Sequence, residues 1–134
     1  MEHAPDPAKQ NPSPGFQRDP NRSITVTPLA GVVTVTLADT IIASSENVLT
    51  LREAEYQPVL YIPFEDIYFE FLSPSATRTN CPYKGDAKYW NASAGGEGRE
   101  DAMWAYQKPY DEMTKIKDYG AFYPTKVKID IASM

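Results

Sequence analysis

The sequence predicts a mostly-β fold, a single small domain of eight or nine short strands with one short helix, closed or folded as a sandwich. Three observations carry that expectation. β-branched residues alternate with period two in Ile24-Thr25-Val26-Thr27 and in Val32-Val33-Thr34-Val35-Thr36-Leu37, the pattern of half-buried strands. Prolines and glycines punctuate the runs: Pro58 and Pro63 bracket 59–62, and Gly95-Gly96-Glu97-Gly98 separates 88–92 from 102–106. Beyond a single turn, only residues 111–117 read clearly as helix, with Met113 and Ile116 on one face, acids early and lysines late.

Residues 1–22 hold five prolines (Pro5, Pro7, Pro12, Pro14, Pro20), and Phe16 is their one aromatic side chain. Such a segment buries too little surface to offset its ordering entropy, so a flexible arm is expected ahead of a domain over residues 23–134. The strands at 24–27 and 32–37 follow, then the turn-like Ala38-Asp39-Thr40. Further strands are expected at 41–43 and 48–51, around the polar Ser44-Ser45-Glu46-Asn47. Pro58 opens and Pro63 closes a strand at 59–62, and Phe64-Glu65-Asp66 suits a single helical turn after a proline. Residues 67–72 read as another strand, ending at Ser73-Pro74-Ser75. Residues 88–92 and 102–106 flank Gly95-Gly96-Glu97-Gly98, a hairpin with a glycine-rich loop. After the helix at 111–117, Gly120 falls where a C-terminal cap would, and 121–123 and 127–129 are the last strands.

Composition excludes several classes of function. Eighteen acids against thirteen lysines and arginines leave a formal net charge of −5, which repels a phosphate backbone, so no nucleic-acid partner is expected. The charge is unevenly spread. Residues 46–70 carry Arg52 against six acids, whereas residues 71–95 carry Arg78, Lys84 and Lys88 against Asp86 alone. No run approaches the ~18 apolar residues of a spanning helix. The start, Met1-Glu2-His3-Ala4-Pro5-Asp6, has neither the basic residues nor the apolar stretch of a secretory signal. The expectation is a cytoplasmic protein with no membrane partner. One cysteine, Cys81, and one histidine, His3, allow neither an intramolecular disulfide nor a four-ligand zinc site, so no metal and no cofactor are expected.

The most distinctive stretch is Thr79-Asn80-Cys81-Pro82-Tyr83-Lys84-Gly85-Asp86-Ala87-Lys88-Tyr89-Trp90. It resembles the signature of the family known as domain of unknown function 427, whose pattern runs T-x-C-P-[YF]-K-G-x-A-x-Y-[YW]. Three further blocks are similar to that family's in order and spacing: Tyr61-Ile62-Pro63-Phe64-Glu65-Asp66-Ile67, Ala102-Met103-Trp104-Ala105-Tyr106-Gln107-Lys108-Pro109, and Ala121-Phe122-Tyr123. The resemblance spans residues 24–130. It implies a small β arrangement resembling the Mss4-like class and a nucleotidyltransferase-like description. The paired Cys-x-x-Cys knuckles that hold zinc in many proteins of that architecture are missing here. So is any D-x-D pair of metal-binding carboxylates.

Candidate site residues cluster in the signature. Cys81 and Lys84 are the candidate catalytic pair, because cations beside a thiol favour its nucleophilic thiolate. The structural alternative is a small buried filler in a tight turn. Lys84 and Gly85 offer an ammonium and an unhindered backbone N–H to an anion. Alternatively, Lys84 pairs with an acid such as Glu65 or Asp66, and Gly85 serves a turn that needs positive φ. Arg78, Thr79, Gly85, Tyr89, Trp104 and Tyr106 complete a candidate ligand-binding set. Strand alternation places Trp104 and Tyr106 on one face, and sends Tyr89 and Trp90 to opposite faces. Those rings, with Phe122 and Tyr123, either wall a planar-ligand pocket or are plain core. The leading expectation is one pocket, formed by the Arg78–Lys84 turn and the aromatic strands, that binds a small anionic or nucleotide-like metabolite, with transferase-type chemistry at the Cys81/Lys84 turn. The alternative is a non-enzymatic structural or partner-binding β module.

Overall fold

Alternation in sequence becomes alternation in burial: Val33, Val35 and Leu37 of one strand point inward and are nearly inaccessible, while their neighbours are half-exposed. The computed structural model describes residues 11–133. Its strands are β1 (Ile24–Pro28), β2 (Val32–Leu37), β3 (Thr40–Ser45), β4 (Leu49–Glu53), β5 (Val59–Pro63), β6 (Leu72–Cys81), β7 (Gly85–Ala94), β8 (Glu97–Ala105), β9 (Tyr119–Phe122) and β10 (Lys128–Ala132). They form a seven-stranded sheet in the order β1-β4-β5-β9-β8-β7-β6 and a three-stranded sheet in the order β10-β2-β3. All pairings between these strands are antiparallel. The protein is therefore mostly β, as the sequence predicts. No helix among the described residues is long and apolar enough to cross a membrane.

The large sheet has a core on each face. Ile62, Trp90, Met103, Ala105 and Phe122 pack with Val33, Val35, Leu37 and Ile42 of the small sheet. Their chain neighbours Tyr61, Tyr106 and Ala121 point the other way, into a second core with Leu51, Ala87, Met113 and Ile116. Strands β5, β8 and β9 are thus apolar on both sides, as buried central strands are.

Four local expectations are corrected by tertiary packing. The run 67–72 is not a strand of its own: residues 67–71 lie outside the ladders, and Leu72 already opens β6. Ile67 makes one isolated bridge to Ala43, and Phe69–Phe71 is a 3-10 turn. There the rings of Phe64, Phe69 and Trp90 meet edge-to-face at 5.1–6.1 Å, and that cluster outweighs the β propensity of the run. Ser73-Pro74-Ser75 does not end a strand but lies within β6, the edge of the large sheet. An edge strand tolerates a proline because one side of its ladder is unpaired. The helix at 111–117 is a kinked 3-10 segment, Asp111–Ile116. Met113 and Ile116 are three residues apart, so three residues per turn bring both into the second core.

The fourth correction concerns the arm. Residues 1–10 lie outside the described residues, but the segment after them is packed. Ser13 is fully buried, its Oγ accepts from the Phe16 N–H and donates to the Pro82 carbonyl at 2.8 Å, and its own N–H reaches Glu112 at 2.8 Å. A short helix, α1 (Pro14–Arg18), starts at that cap. Gly15 lies so close to the Pro82-Tyr83 turn that an added Cβ would sit 2.7 Å from the Tyr83 ring, and Phe16 stacks edge-on against Tyr83 at 5.1 Å. Proline content tracks the missing apolar area, but not the backbone and cap hydrogen bonds that hold this segment.

Candidate functional site

The signature stretch is the β6–β7 hairpin. Cys81 closes β6, Pro82-Tyr83-Lys84 makes the turn, and Gly85 opens β7 opposite Cys81. Gly85 has φ +127°, and a Cβ there would lie 3.3 Å from both the Lys108 carbonyl oxygen and Pro109. Glycine is required by conformation and by space. Behind it, the Tyr110 N–H donates to the Lys84 carbonyl at 2.9 Å.

Lys84 leaves the turn and is buried, with 8% of its surface exposed. Its ammonium donates to Glu53 Oε1 at 2.6 Å and lies 3.8 Å from Cys81 Sγ. Glu53 ends β4, and its other oxygen accepts from Arg22 Nη2 at 2.8 Å. Burial alone would raise the Glu53 carboxyl, but the hydrogen bonds and charges of Lys84 and Arg22 outweigh it and hold the carboxyl below its ordinary range. The partner of Lys84 is therefore Glu53, not Glu65 or Asp66; Asp66 instead accepts from Ser45 at 2.5 Å.

This cluster lies at a pocket of about 220 Å³ walled by Tyr61, Tyr89, Trp104, Tyr106 and Tyr123. Trp104 lies 4.4 Å from Tyr123, centroid to centroid, and meets Tyr61 edge-on at 6.4 Å. Burial raises the phenols of Tyr61 and Tyr106 well above their ordinary range and pushes Tyr123 up to about 12. Near neutral pH these phenols keep their protons and can donate hydrogen bonds.

The expected residues do not form one site. Register partners share a face, so Arg78, Lys88 and Ala105 lie on the face of the first core, while Tyr89 and its partner Trp104 lie on the other. Arg78 and Thr79 line a separate cleft of about 670 Å³ with Asn80, Asp86, Lys88, Gln107 and Lys108. Thr79 also reaches the pocket side, where its hydroxyl shares a 2.8 Å hydrogen bond with Tyr89. Gly85 lines neither cavity. The single pocket expected to hold Arg78 together with Lys84 is thus corrected to two cavities. The pocket gathers Lys84, Tyr89, Trp104 and Tyr106, with Cys81 half-buried beside Lys84.

Sequence reasoning missed Glu53, Tyr56 and Tyr61 as pocket residues, and Arg22 as the second cation on Glu53. Tyr61 falls inside a family-like block, and that was an available signal. Glu53 is one of six acids between residues 46 and 70, and nothing local distinguishes it. Arg22 belongs to the proline-rich segment and reaches the site only because that segment docks. Among the described residues, no cluster of three His, Cys, Asp or Glu side chains is placed to hold a metal ion.

A family model described as domain of unknown function (DUF427) matches residues 25–133. The chain belongs to the DUF427 family. No curated protein matches it. The DUF427 match holds both sheets and both cavities, whereas α1 and Arg22 precede it.

Proposed function

We propose that this DUF427 protein binds a small anionic metabolite in the tyrosine-walled pocket, through Lys84. The observation that carries the reading is the charge arrangement. Two cations, Arg22 and Lys84, share one carboxylate, Glu53, and Glu53 and Lys84 line the pocket beside phenols that keep their protons. The cluster carries one net positive charge, and most remaining polar groups around it are donors. An incoming carboxylate or phosphate ester finds partners there, while a cationic ligand meets Lys84 first. Size narrows the class further. Drug-sized ligands occupy about 300–1,000 Å³, so 220 Å³ suits a compound of few heavy atoms rather than a whole nucleotide. Transferase-type chemistry is the extension of this reading. The Cys81 sulfur attacks an acyl or phosphoryl centre of the bound ligand, its proton passes to water, and the group bound at that centre departs with the electron pair of the broken bond.

The alternative, a structural module, is favoured by one contact, the 2.6 Å Lys84–Glu53 ion pair, which ties the turn to β4 whether or not a ligand binds. Thermal-shift screening against small carboxylates and phosphate esters separates the two, since a ligand of the folded state raises its melting point. Iodoacetamide labelling of Cys81 supplies the second readout. The binding reading expects a stabilising ligand that also shields Cys81. A thiol that labels only in denaturant, with no stabilising compound found, establishes the structural module.

A further inference from the structure

We infer that the cleft on the opposite face is a second anion site, built for a small compound bearing a diphosphate or longer phosphate chain. The inference starts from the pairing of β6 with β7. Arg78 and Lys88 are direct cross-strand partners, an arrangement of like charges that destabilises a sheet. Lys108 is the third cation of the cleft, and Asp86 is its single acid. Asp86, held by Asn80 at 2.8 Å, offsets one of the three and leaves the cleft with a net positive charge. Among the described residues, none of the three cations makes an ion pair. This occurs in a chain with five more acids than bases. An anion in the cleft converts the repulsion into attraction.

Arg78 is also held in place. Its Nη1 donates to the Ser75 and Thr77 carbonyls at 2.9 and 2.7 Å, which restrains the guanidinium and leaves its other donors without a partner among the described residues. A restrained guanidinium loses less freedom on binding, and its fork fits phosphate oxygens two at a time. Three cations call for more than one negative charge. A volume of about 670 Å³ lies within the range for a ligand larger than a single phosphate. The net negative charge of the chain disfavours a long nucleic-acid backbone and leaves a small phosphorylated compound. Nothing in this argument uses Lys84 or Cys81, so it stands or falls separately from the tyrosine pocket.

The test is titration of the full chain with inorganic pyrophosphate at low ionic strength, followed residue by residue by amide NMR shifts. Saturable shifts should centre on Arg78, Lys88 and Lys108, weaken as salt is raised, and exceed those given by sulfate at equal ionic strength. Replacing Arg78 or Lys88 by Ala should weaken binding about tenfold each, the loss of one charge-assisted contact. Asp86→Asn should tighten it by removing the single opposing charge. Shifts centred on Tyr89 and Trp104 instead, affinity unchanged in the R78A/K88A double variant, equal response to sulfate, or no saturable shift would each overturn the assignment.

Discussion

Lys84 and Lys88 stand four residues apart on one hairpin, and the protein treats their charges in opposite ways. Lys84 is buried and its charge is met at 2.6 Å by Glu53, which Arg22 also grips. Lys88 is exposed and faces another cation, Arg78, across the ladder. Strand geometry explains how neighbours diverge. The turn lifts Lys84 out of the pleat toward β4, whereas Lys88 is committed to the face opposite Tyr89 by its place in β7. A compensated buried charge is part of what holds the fold, while an uncompensated exposed charge is available to a ligand. In stability measurements the two regions should therefore respond with opposite sign.

The largest effect belongs to the pocket. Glu53→Gln leaves a buried ammonium without its carboxylate and should cost about 3 kcal/mol, the lower end for breaking a buried pair because Glu53 keeps some exposure. Denaturant unfolding checks this. The pH dependence supplies a second measurement. The folded carboxyl sits below its ordinary value of 4.5, so its contribution is complete above that pH and disappears as pH falls through the folded value. The gap between wild type and Glu53→Gln should narrow in acid; a gap independent of pH would mean the ion pair is not its source.

Gly85→Ala should come next, at about 2 kcal/mol, from a left-handed backbone and a Cβ pressed on the Lys108–Tyr110 backbone. Because that backbone joins the two cavities, the substitution should disturb amide shifts in both regions, and a change confined to one would separate them.

Ser13→Ala removes the cap of α1 and its bond to Pro82, and should cost about 1 kcal/mol by thermal unfolding. Deleting residues 1–20 should lower the melting temperature more than this substitution, and should perturb Tyr83 and Glu53 while leaving Lys88 unmoved. Equal melting temperatures would show that the docked segment contributes nothing.

The smallest effect is that of Lys88→Ala. Removing one of two opposed cations should leave stability within about 0.5 kcal/mol of wild type, or raise it slightly. A loss as large as that of Glu53→Gln would abolish the contrast, because it would show Lys88 to be compensated too.

Local pattern by itself determined a good deal of this protein. Period-two runs such as 32–37 specify strands, because alternation needs only the neighbours in sequence to define two faces. The run from Thr79 to Trp90 stood out as the candidate site and its turn was legible, but the β6–β7 hairpin on which both cavities depend was not. The same alternation placed Trp104 and Tyr106 together and separated Tyr89 from Trp90. What it did not carry is which distant segment meets which face. Arg78 and Lys84 look like one site because they are six residues apart, yet the ladder puts them on opposite sides of a sheet. Glu53, 31 residues from Lys84 in sequence, becomes its partner, and Arg22 the second cation on that carboxylate, through the β1–β4 pairing and the docking of α1 on Tyr83. An ion pair needs two groups within about 4 Å, and only tertiary structure sets that distance for residues far apart in the chain.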